Sequence, residues 1–369
     1  MSRFDTLLET GMEAPRPWLQ RLLAAVWAVA MLATSAGAEV ETWQLEAWSP
    51  PFDYRNPSQV IDYQPLEAVS RKWTVCASYP HLKDSYWLSV NYGMVAEARR
   101  LGVAFNLVEA GGYPNLDRQR AQIRQCVASG ADVLVVGTVS FEGLSDIIEE
   151  IGQTIPVVAA VNDIADRGIS AKSGVSWISM GAHAGEYLAQ RHPAGSEPVK
   201  VAWFPGPQGA GWVKFVEEGF REAIAGSAVE VVITKWGDTG KEIQLLLIED
   251  VLEERPDIDY IVGSAVTAEA AISILRARGL SDQIQIVADY FTHAVYRGIK
   301  RGRILAAPTD FPVLQGRLAI DQAIRVLEGK LVVPHAGPAI RMMTPETVNV
   351  IGPDESLNPA WFLPTFTVE

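Results

Sequence analysis

The sequence predicts an α/β fold of two doubly wound lobes, each with a parallel sheet between layers of helices. The chain has 369 residues, which is too long for one comfortable hydrophobic core and suggests about two domains. From Lys72 onward, short apolar runs alternate with amphipathic stretches of helical length, a pattern typical of βαβ units. This strand–helix series runs twice, with a break near Gly181.

The individual elements follow from local patterns. The predicted strands are short apolar runs, at residues 73–79, 104–109, 133–137, 157–161, 201–204, 229–235, 260–263 and 284–288. In the helices, apolar residues recur three and four positions apart, as Leu88, Tyr92, Val95 and Ala96 do. The predicted helices are residues 85–101, 116–129, 144–152, 180–191, 212–225, 243–254, 267–278, 293–301 and 313–328.

Residues 1–38 have the pattern of an export signal. Arg16 and Arg21 give it a positive start, and the apolar run 22–33 has no charge. Small residues at 36–38 then supply a cleavage pattern. The apolar run is too short to remain as a membrane anchor. We expect a cleaved signal peptide and a periplasmic mature chain, with an uncleaved anchor as the alternative.

Residues 39–70 are rich in Pro, Trp and acidic groups and lack a clear period. Prolines such as Pro57 and Pro65 break regular elements. We interpret this segment as an N-terminal extension that lies on the surface. Its apolar residues, Trp43 and Trp48 among them, would be a liability if they were exposed to solvent.

The composition and motifs argue against several classes of function. The formal net charge is −13, whereas a nucleic-acid surface needs clustered Lys and Arg. No histidine pair has the spacing of a zinc helix, and neither a Walker loop nor a serine-hydrolase elbow is present. The glycine-rich stretch 206–211 lacks dinucleotide spacing and is interpreted as a strand-to-helix turn. We therefore predict a protein that is not an enzyme and has no catalytic residue, metal or cofactor.

The two cysteines, Cys76 and Cys126, fall in the first predicted strand and in the helix between the second and third strands. An oxidising compartment permits a disulfide. If the first strand lies between the other two, as in a flavodoxin-like order, the helix crosses over it and the thiols can meet. A disulfide and two buried free thiols both remain possible at this point.

Aromatic side chains gather where the predicted strands end, which are the cleft positions of this architecture. Ring faces attract a methylated ammonium centre, and a carboxylate adds Coulomb attraction for the same nitrogen. Tyr hydroxyls and Trp indole N–H groups can donate to a negative oxygen. Sugar-binding clefts also stack aromatic rings, so the rings alone do not identify the ligand. The aromatic residues at these positions include Tyr86, Trp87, Tyr113, Trp177 and Tyr290, and Asp84 is a carboxylate in the same turn as the first two.

Several long motifs resemble a known family. The run 79–94, Tyr-Pro-His-Leu-Lys-Asp-Ser-Tyr-Trp-Leu-Ser-Val-Asn-Tyr-Gly-Met, is similar to the opening of periplasmic binding proteins of the ribose-binding type. Residues 109–113, 218–227 and 293–303 extend this likeness. Within the superfamily, the sequence resembles the TorT-type sensors of trimethylamine N-oxide. The resemblance covers about residues 71–330.

The resemblance implies a type I periplasmic binding protein fold and trimethylamine N-oxide held in an aromatic cage between the lobes. Carried over residue by residue, it implies that the ligand contacts are Asp84, Tyr86, Trp87, Tyr113, Trp177 and Tyr290. It also implies a partner, a TorS-like sensor histidine kinase of a two-component system. In sugar-binding members the position near Tyr290 is typically an aspartate, and here Asp289 is adjacent. Asp310 and Trp212 also fall near cleft positions, with less support.

We expect lobe 1 to comprise residues 71–180 with 308–333, and lobe 2 to comprise 181–307 with 334–352, followed by a tail at 353–369. Ligand binding would close the lobes about their connecting segments. A sugar-binding or quaternary-ammonium-binding protein of an ABC transporter is the alternative. A LacI-type repressor shares the fold but needs a helix-turn-helix where this chain has its signal.

Overall fold

The computed structural model of the protein describes residues 41–369. The predicted signal peptide, 1–38, lies outside these residues. A search of the described residues finds no helix with the length and hydropathy that a membrane span requires.

The eight predicted strands all form, in two series separated by helices, and seven strands that were not predicted accompany them in the described residues. In chain order they are β1 (Trp43–Trp48), β2 (Ser58–Tyr63), β3 (Thr74–Tyr79), β4 (Ala104–Glu109), β5 (Val133–Val136), β6 (Val157–Ala160), β7 (Ala171–Ser173), β8 (Val199–Phe204), β9 (Val229–Thr234), β10 (Tyr260–Gly263), β11 (Gln285–Ala288), β12 (Ala307–Thr309), β13 (His335–Pro338), β14 (Arg341–Met343) and β15 (Thr367–Val368).

The helices between them confirm the predicted 3.6-residue periods, with ends that agree to within one turn. In chain order they are α1 (Ser85–Leu101), α2 (Leu116–Ala128), α3 (Ser145–Gly152), α4 (Trp177–Arg191), α5 (Gly211–Ile224), α6 (Lys241–Glu254), α7 (Ala265–Arg278), α8 (His293–Lys300) and α9 (Pro312–Leu327).

Two sheets form the centres of the two lobes. In the described chain the first has the order β15-β4-β3-β5-β6-β7-β13-β1-β2 and the second β11-β10-β8-β9. The pairs from β4 to β7 and from β9 to β11 are parallel. Parallel strands end at one edge of their sheet, so the loops after β3, β5, β6, β8 and β11 open toward the junction of the lobes, where ligands of such folds bind.

The two cysteines form a disulfide. β3 lies between β4 and β5, so α2, which links β4 to β5, crosses over β3 and brings Cys126 to Cys76. Their Cα atoms are 5.9 Å apart, within the range that a disulfide requires. Of the two alternatives that the sequence left open, the structure contains the disulfide.

The segment after residue 40 is more regular than expected. Trp43–Trp48 and Ser58–Tyr63 form an antiparallel hairpin, and the first of these strands also pairs with β13. Trp43 and Trp48 are buried, with 4% and 6% of their surfaces exposed. The expectation of an irregular segment was wrong because Pro50, Pro51 and Pro57 fall in the connection between the two strands, where they interrupt no ladder.

The last part of the chain also differs from the prediction. Residues 334–352 were assigned to lobe 2, yet His335–Pro338 pairs with β7 and β1 in the first sheet. Arg341–Met343 lies outside that sheet and pairs instead with β12. The tail ends in β15, which pairs with β4 at the edge of the first sheet. The other lobe boundaries stay predictions.

Candidate ligand-binding site

The turn from β3 to α1 positions three of the predicted residues. Asp84 is the N-cap of α1, and its Oδ1 accepts from the backbone N–H groups of Tyr86 at 3.1 Å and Trp87 at 3.2 Å. Such a cap satisfies backbone donors that the first helical turn leaves free. It also fixes the backbone from which both rings project, and both rings are buried.

Trp87 extends from this turn over the carboxyl end of β5. A Cβ at Gly137, the residue after β5, would lie 2.3 Å from Cη2 of Trp87. Glycine is therefore required for the ring to reach this position. The ring of Trp87 also packs against the ring of Tyr79, and their centroids are 5.0 Å apart.

The hydroxyl of Tyr86 is tied to the segment that connects the lobes. It donates to Oδ2 of Asp310 at 2.5 Å, and Nε2 of Gln315 donates to the same oxygen at 2.7 Å. Burial raises the pKa of Asp310 to about 6. Asp310 lies between β12 and α9, so this hydrogen bond connects the start of α1 with the chain that returns from lobe 2.

Tyr113 and Trp177 complete the side of the first sheet. The Tyr113 hydroxyl accepts from Nδ2 of Asn162 at 3.1 Å, and the same amide donates to the carbonyl of Thr138 at 2.7 Å. Nε1 of Trp177 donates to the carbonyl of Val161 at 2.9 Å. Trp177 was expected to end the first lobe, and it is the first residue of α4.

Two rings come from the side of the second sheet. Tyr290 follows β11, and its ring centroid lies 5.2 Å from that of Tyr86. Trp212 lies in the first turn of α5, with ring centroids 5.4 Å from Trp177, 6.0 Å from Tyr290 and 6.2 Å from Tyr113. Trp212 thus contacts rings from both sides of the junction.

A turn rich in glycine allows Trp212 to lie there. Gly206 has φ +115°, a conformation that other residues rarely adopt, and a Cβ on it would lie 2.6 Å from the Trp212 ring. This confirms the interpretation of residues 206–211 as a strand-to-helix turn.

All six predicted residues line one pocket at the junction. Three further residues, Asn162, Trp212 and Thr239, complete its lining. Trp212 was recognised only as a weaker candidate, and Asn162 and Thr239 are polar loop residues with no sequence signal beyond their position after a strand. The residues that line the pocket, called the aromatic cage below, are Asp84, Tyr86, Trp87, Tyr113, Asn162, Trp177, Trp212, Thr239 and Tyr290.

The cage is small. The space among its residues, open solvent included, is about 250 Å³. Contacts between the lobes narrow it further: His81 Nε2 and Thr239 Oγ1 are 3.0 Å apart, and Lys83 pairs with Asp238 at 3.3 Å. Only a ligand of few heavy atoms fits such a space.

Electrostatically the cage combines neutral rings with one carboxylate. Burial, followed by the charge of Asp84, raises the pKa of Tyr290 well above its ordinary value, so this phenol stays neutral. The neighbouring Asp289 is fully buried but does not line the cage. Ring faces and a carboxylate together favour a positively charged centre.

One hydrogen-bond donor in the cage is poorly satisfied. Nε1 of Trp212 is buried and makes no hydrogen bond of normal geometry within the described chain, although it lies close enough to the Tyr113 hydroxyl to favour the ionised form of that phenol. A buried donor without an acceptor is costly, so the site favours a ligand that brings an acceptor oxygen.

Comparison with known sequences identifies relatives. A model of the periplasmic binding protein domain matches residues 75–331. The periplasmic protein TorT of Escherichia coli strain K12 is 43% identical over 302 residues, which are 82% of this chain and 86% of TorT. A D-ribose/D-allose-binding protein of Pseudomonas aeruginosa is 26% identical over 283 residues, 73% of this chain and 88% of that protein.

Solved structures give the same result. A solute-binding protein of an ABC transporter from Bradyrhizobium sp. BTAi1, with bound bis-tris, is 48% identical with a TM-score of 0.77, covering 90% of this chain and 100% of that one. TorT in complex with the TorS sensor domain in the presence of TMAO is 43% identical with a TM-score of 0.73, covering 80% and 100%. The chain therefore belongs to the periplasmic binding protein domain family and is a relative of TorT.

Proposed function

We propose that the protein is a periplasmic sensor that binds trimethylamine N-oxide in the aromatic cage and signals to a TorS-like sensor histidine kinase. The observation that supports this most is the meeting of six aromatic rings and the Asp84 carboxylate in one small pocket. Trimethylamine N-oxide carries its positive charge on a nitrogen surrounded by methyl groups, which ring faces attract.

The oxygen of the ligand also has a partner in the cage. The N-oxide oxygen is a strong acceptor, and Nε1 of Trp212 is a buried donor that makes no hydrogen bond of normal geometry in the described chain. A ligand that satisfies this donor removes the cost of burying it. The pairing selects an N-oxide over a methylated ammonium ion of the same size that has no oxygen.

A sugar fits the same cage less well. Sugars need several hydrogen bonds at once, but much of the polar lining is already used inside the protein. The Tyr86 hydroxyl bonds to Asp310, Nε1 of Trp177 bonds to Val161, and Thr239 bonds to His81. These internal bonds leave aromatic surface as the main contact for a ligand.

Signalling would follow from closure of the lobes and involves no chemistry on the ligand. A ligand shifts an open–closed equilibrium only by binding one state more tightly. Tyr290 and Trp212 from the second lobe reach the rings of the first only when the lobes are together. The closed state therefore offers the complete cage, and the kinase would recognise the surface that closure creates.

Delivery of a solute to an ABC transporter is the second candidate. The relative from Bradyrhizobium, 48% identical, is such a protein and contains bis-tris, which is a tertiary amine with hydroxyl groups. A stable complex with the sensor domain of a TorS-type kinase from the same organism favours the sensor. Ligand uptake that depends on a neighbouring transporter, with no kinase complex, favours the alternative.

Isothermal titration of the purified protein with trimethylamine N-oxide, glycine betaine and D-ribose tests the ligand. We expect binding of trimethylamine N-oxide and its loss in Trp87→Ala. Trp361→Ala is the matched control, since Trp361 is 70% exposed and outside the cage. Tight binding of D-ribose with no heat from trimethylamine N-oxide would show the proposal to be wrong.

A further inference from the structure

A second pocket lies on lobe 2, between α7, α8 and the segment that follows α8. The space in it, counted out to open solvent, is about 1010 Å³, four times that of the aromatic cage measured in the same way. It shares no lining residue with the cage. Its charged lining residues are Lys241, Glu269, Arg276, Arg297, Arg301 and Arg303.

Four of these cations have no partner among the residues that the structure describes. Within residues 41–369, no ion pair or side-chain hydrogen bond involves the guanidinium groups of the four arginines, all of which are exposed. Lys241 and Glu269 form an ion pair at 2.8 Å and largely cancel each other. Arg278, also on α7, shows the contrast: it pairs with Glu249 on another helix.

Helix dipoles explain only part of this arrangement. Cations are favoured at helix C-termini, which accounts for Arg276 and Arg297 in the last turns of α7 and α8. Arg303 lies beyond α8, and no dipole requires it to face the same concavity. Four unpaired positive charges around one pocket repel one another, in a chain whose net charge is −13. The pocket thus creates a local positive potential that attracts anions.

The floor of the pocket is apolar, in contrast to its charged rim. Leu275, Ile284 and Ile286 line it, and each is buried beneath the charged rim. Guanidinium groups bind carboxylates and phosphates through paired hydrogen bonds, while an aliphatic floor accepts hydrocarbon. A cationic rim over an apolar floor matches a molecule that has both parts.

We propose that this pocket is a second binding site, for a small organic polyanion with two or more carboxylate or phosphate groups on a compact carbon frame. The proposal does not depend on which ligand the aromatic cage binds or on whether the protein is a sensor. The concave shape favours a free small molecule over a flat protein surface as the occupant.

Isothermal titration at low ionic strength tests this site with two probes, citrate and pyrophosphate. Citrate has a carbon frame and three carboxylates, whereas pyrophosphate has charge alone. We expect citrate to bind more tightly than pyrophosphate, and added salt to weaken both because the contacts are exposed. The double variant Arg297→Glu/Arg301→Glu should weaken citrate binding by at least tenfold, and Arg297→Gln/Arg301→Gln should weaken it by a smaller factor.

Arg99→Glu/Arg124→Glu is the matched control, because it reverses the same number of charges and both arginines are exposed, have no ion pair among the described residues and lie on α1 and α2 of the other lobe. An equal loss in this control would mean that citrate responds only to overall charge, and would overturn the proposal. So would the absence of citrate binding to the wild-type protein. If charge reversal instead prevents binding of the kinase sensor domain while neither anion binds, the pocket is a protein docking surface and the proposal is wrong.

Discussion

Tyr86 and Tyr290 come from opposite lobes and meet edge to face, with ring centroids 5.2 Å apart and ring planes at 72°. Edge-to-face pairs of this kind are favourable in themselves. Tyr86 is anchored on α1 through Asp310, whereas Tyr290 follows β11 of the second sheet. An opening of the lobes would therefore break this contact.

Removal of the ring from lobe 2 should weaken ligand binding without unfolding the protein. We expect Tyr290→Ala to reduce the affinity for trimethylamine N-oxide about tenfold or more, because a cation–π contact of about 1–2 kcal/mol is lost together with the interlobe contact. Isothermal titration measures the effect. Trp236→Ala, a half-exposed aromatic of the same lobe outside the cage, should bind as the wild type does; equal losses in both variants would contradict the assignment.

The indole N–H of Trp212 should distinguish an N-oxide from a simple ammonium ion. Trp212→Phe keeps a ring in place but removes the donor. We expect the affinity for trimethylamine N-oxide to fall about tenfold, the usual cost of about 1–3 kcal/mol for an unmet polar group. Tetramethylammonium has no acceptor oxygen, so its affinity should change little. Parallel titrations with both ligands decide the matter, and an equal loss for the two would exclude a role for the N–H group.

The buried carboxyl of Asp310 predicts a pH dependence of stability. Burial raises its pKa to about 6, from 3.8, so the folded state holds this proton more tightly than the unfolded chain. That contribution is fully present below about pH 4 and is lost as the pH rises through about 6. Asp310→Asn has no such proton. The difference between its unfolding free energy and that of the wild type should therefore shift in favour of the variant by up to about 3 kcal/mol between pH 4 and 7.

Urea unfolding of both proteins at several pH values measures this difference. Asp282→Asn, at an exposed site, serves as the control and should follow the wild-type curve. A difference between Asp310→Asn and the wild type that stays constant over this pH range would contradict the account of a neutral, buried carboxyl.

The disulfide between Cys76 and Cys126 should stabilise lobe 1. It closes a loop of 50 residues, and its removal should cost about 2–4 kcal/mol, mainly because the unfolded chain gains freedom. We expect Cys76→Ala/Cys126→Ala to melt at a lower temperature than the wild type. A reductant should lower the melting temperature of the wild type but not of the variant. A reductant effect on both proteins would point to another cause.

Much of the fold follows from local sequence. The helix at Ser85–Leu101 and the strand at Ala104–Glu109 have the predicted ends, because their side-chain periods are long enough to recognise and Asp84 and Gly102 cap the helix. The hairpin Trp43–Tyr63 and the strand His335–Pro338 were not predicted. The first strand of the hairpin pairs with His335–Pro338, almost 300 positions away in sequence. No local period indicates such a partner.

The site was predictable where the signal was aromatic. The turn that carries Trp87 follows β3 of the first sheet, and Tyr290 follows β11 of the second; the carboxyl ends of both sets of strands face the junction, so the two rings converge there. Trp212 lies in the first turn of α5 as Trp87 does in α1, but no aromatic residue adjoins it in sequence as Tyr86 adjoins Trp87, so its signal was weaker. Asn162 and Thr239 are ordinary loop residues in sequence, and only the three-dimensional structure brings them into the cage lining.

A crystal structure of the protein with trimethylamine N-oxide is the most direct test of the proposed cage. We expect the ligand nitrogen within about 6 Å of the ring centroids of Trp87 and Tyr290, with its oxygen facing Nε1 of Trp212. A ligand found outside the cage, or lobes that close over a different molecule while these rings turn away, would contradict the account.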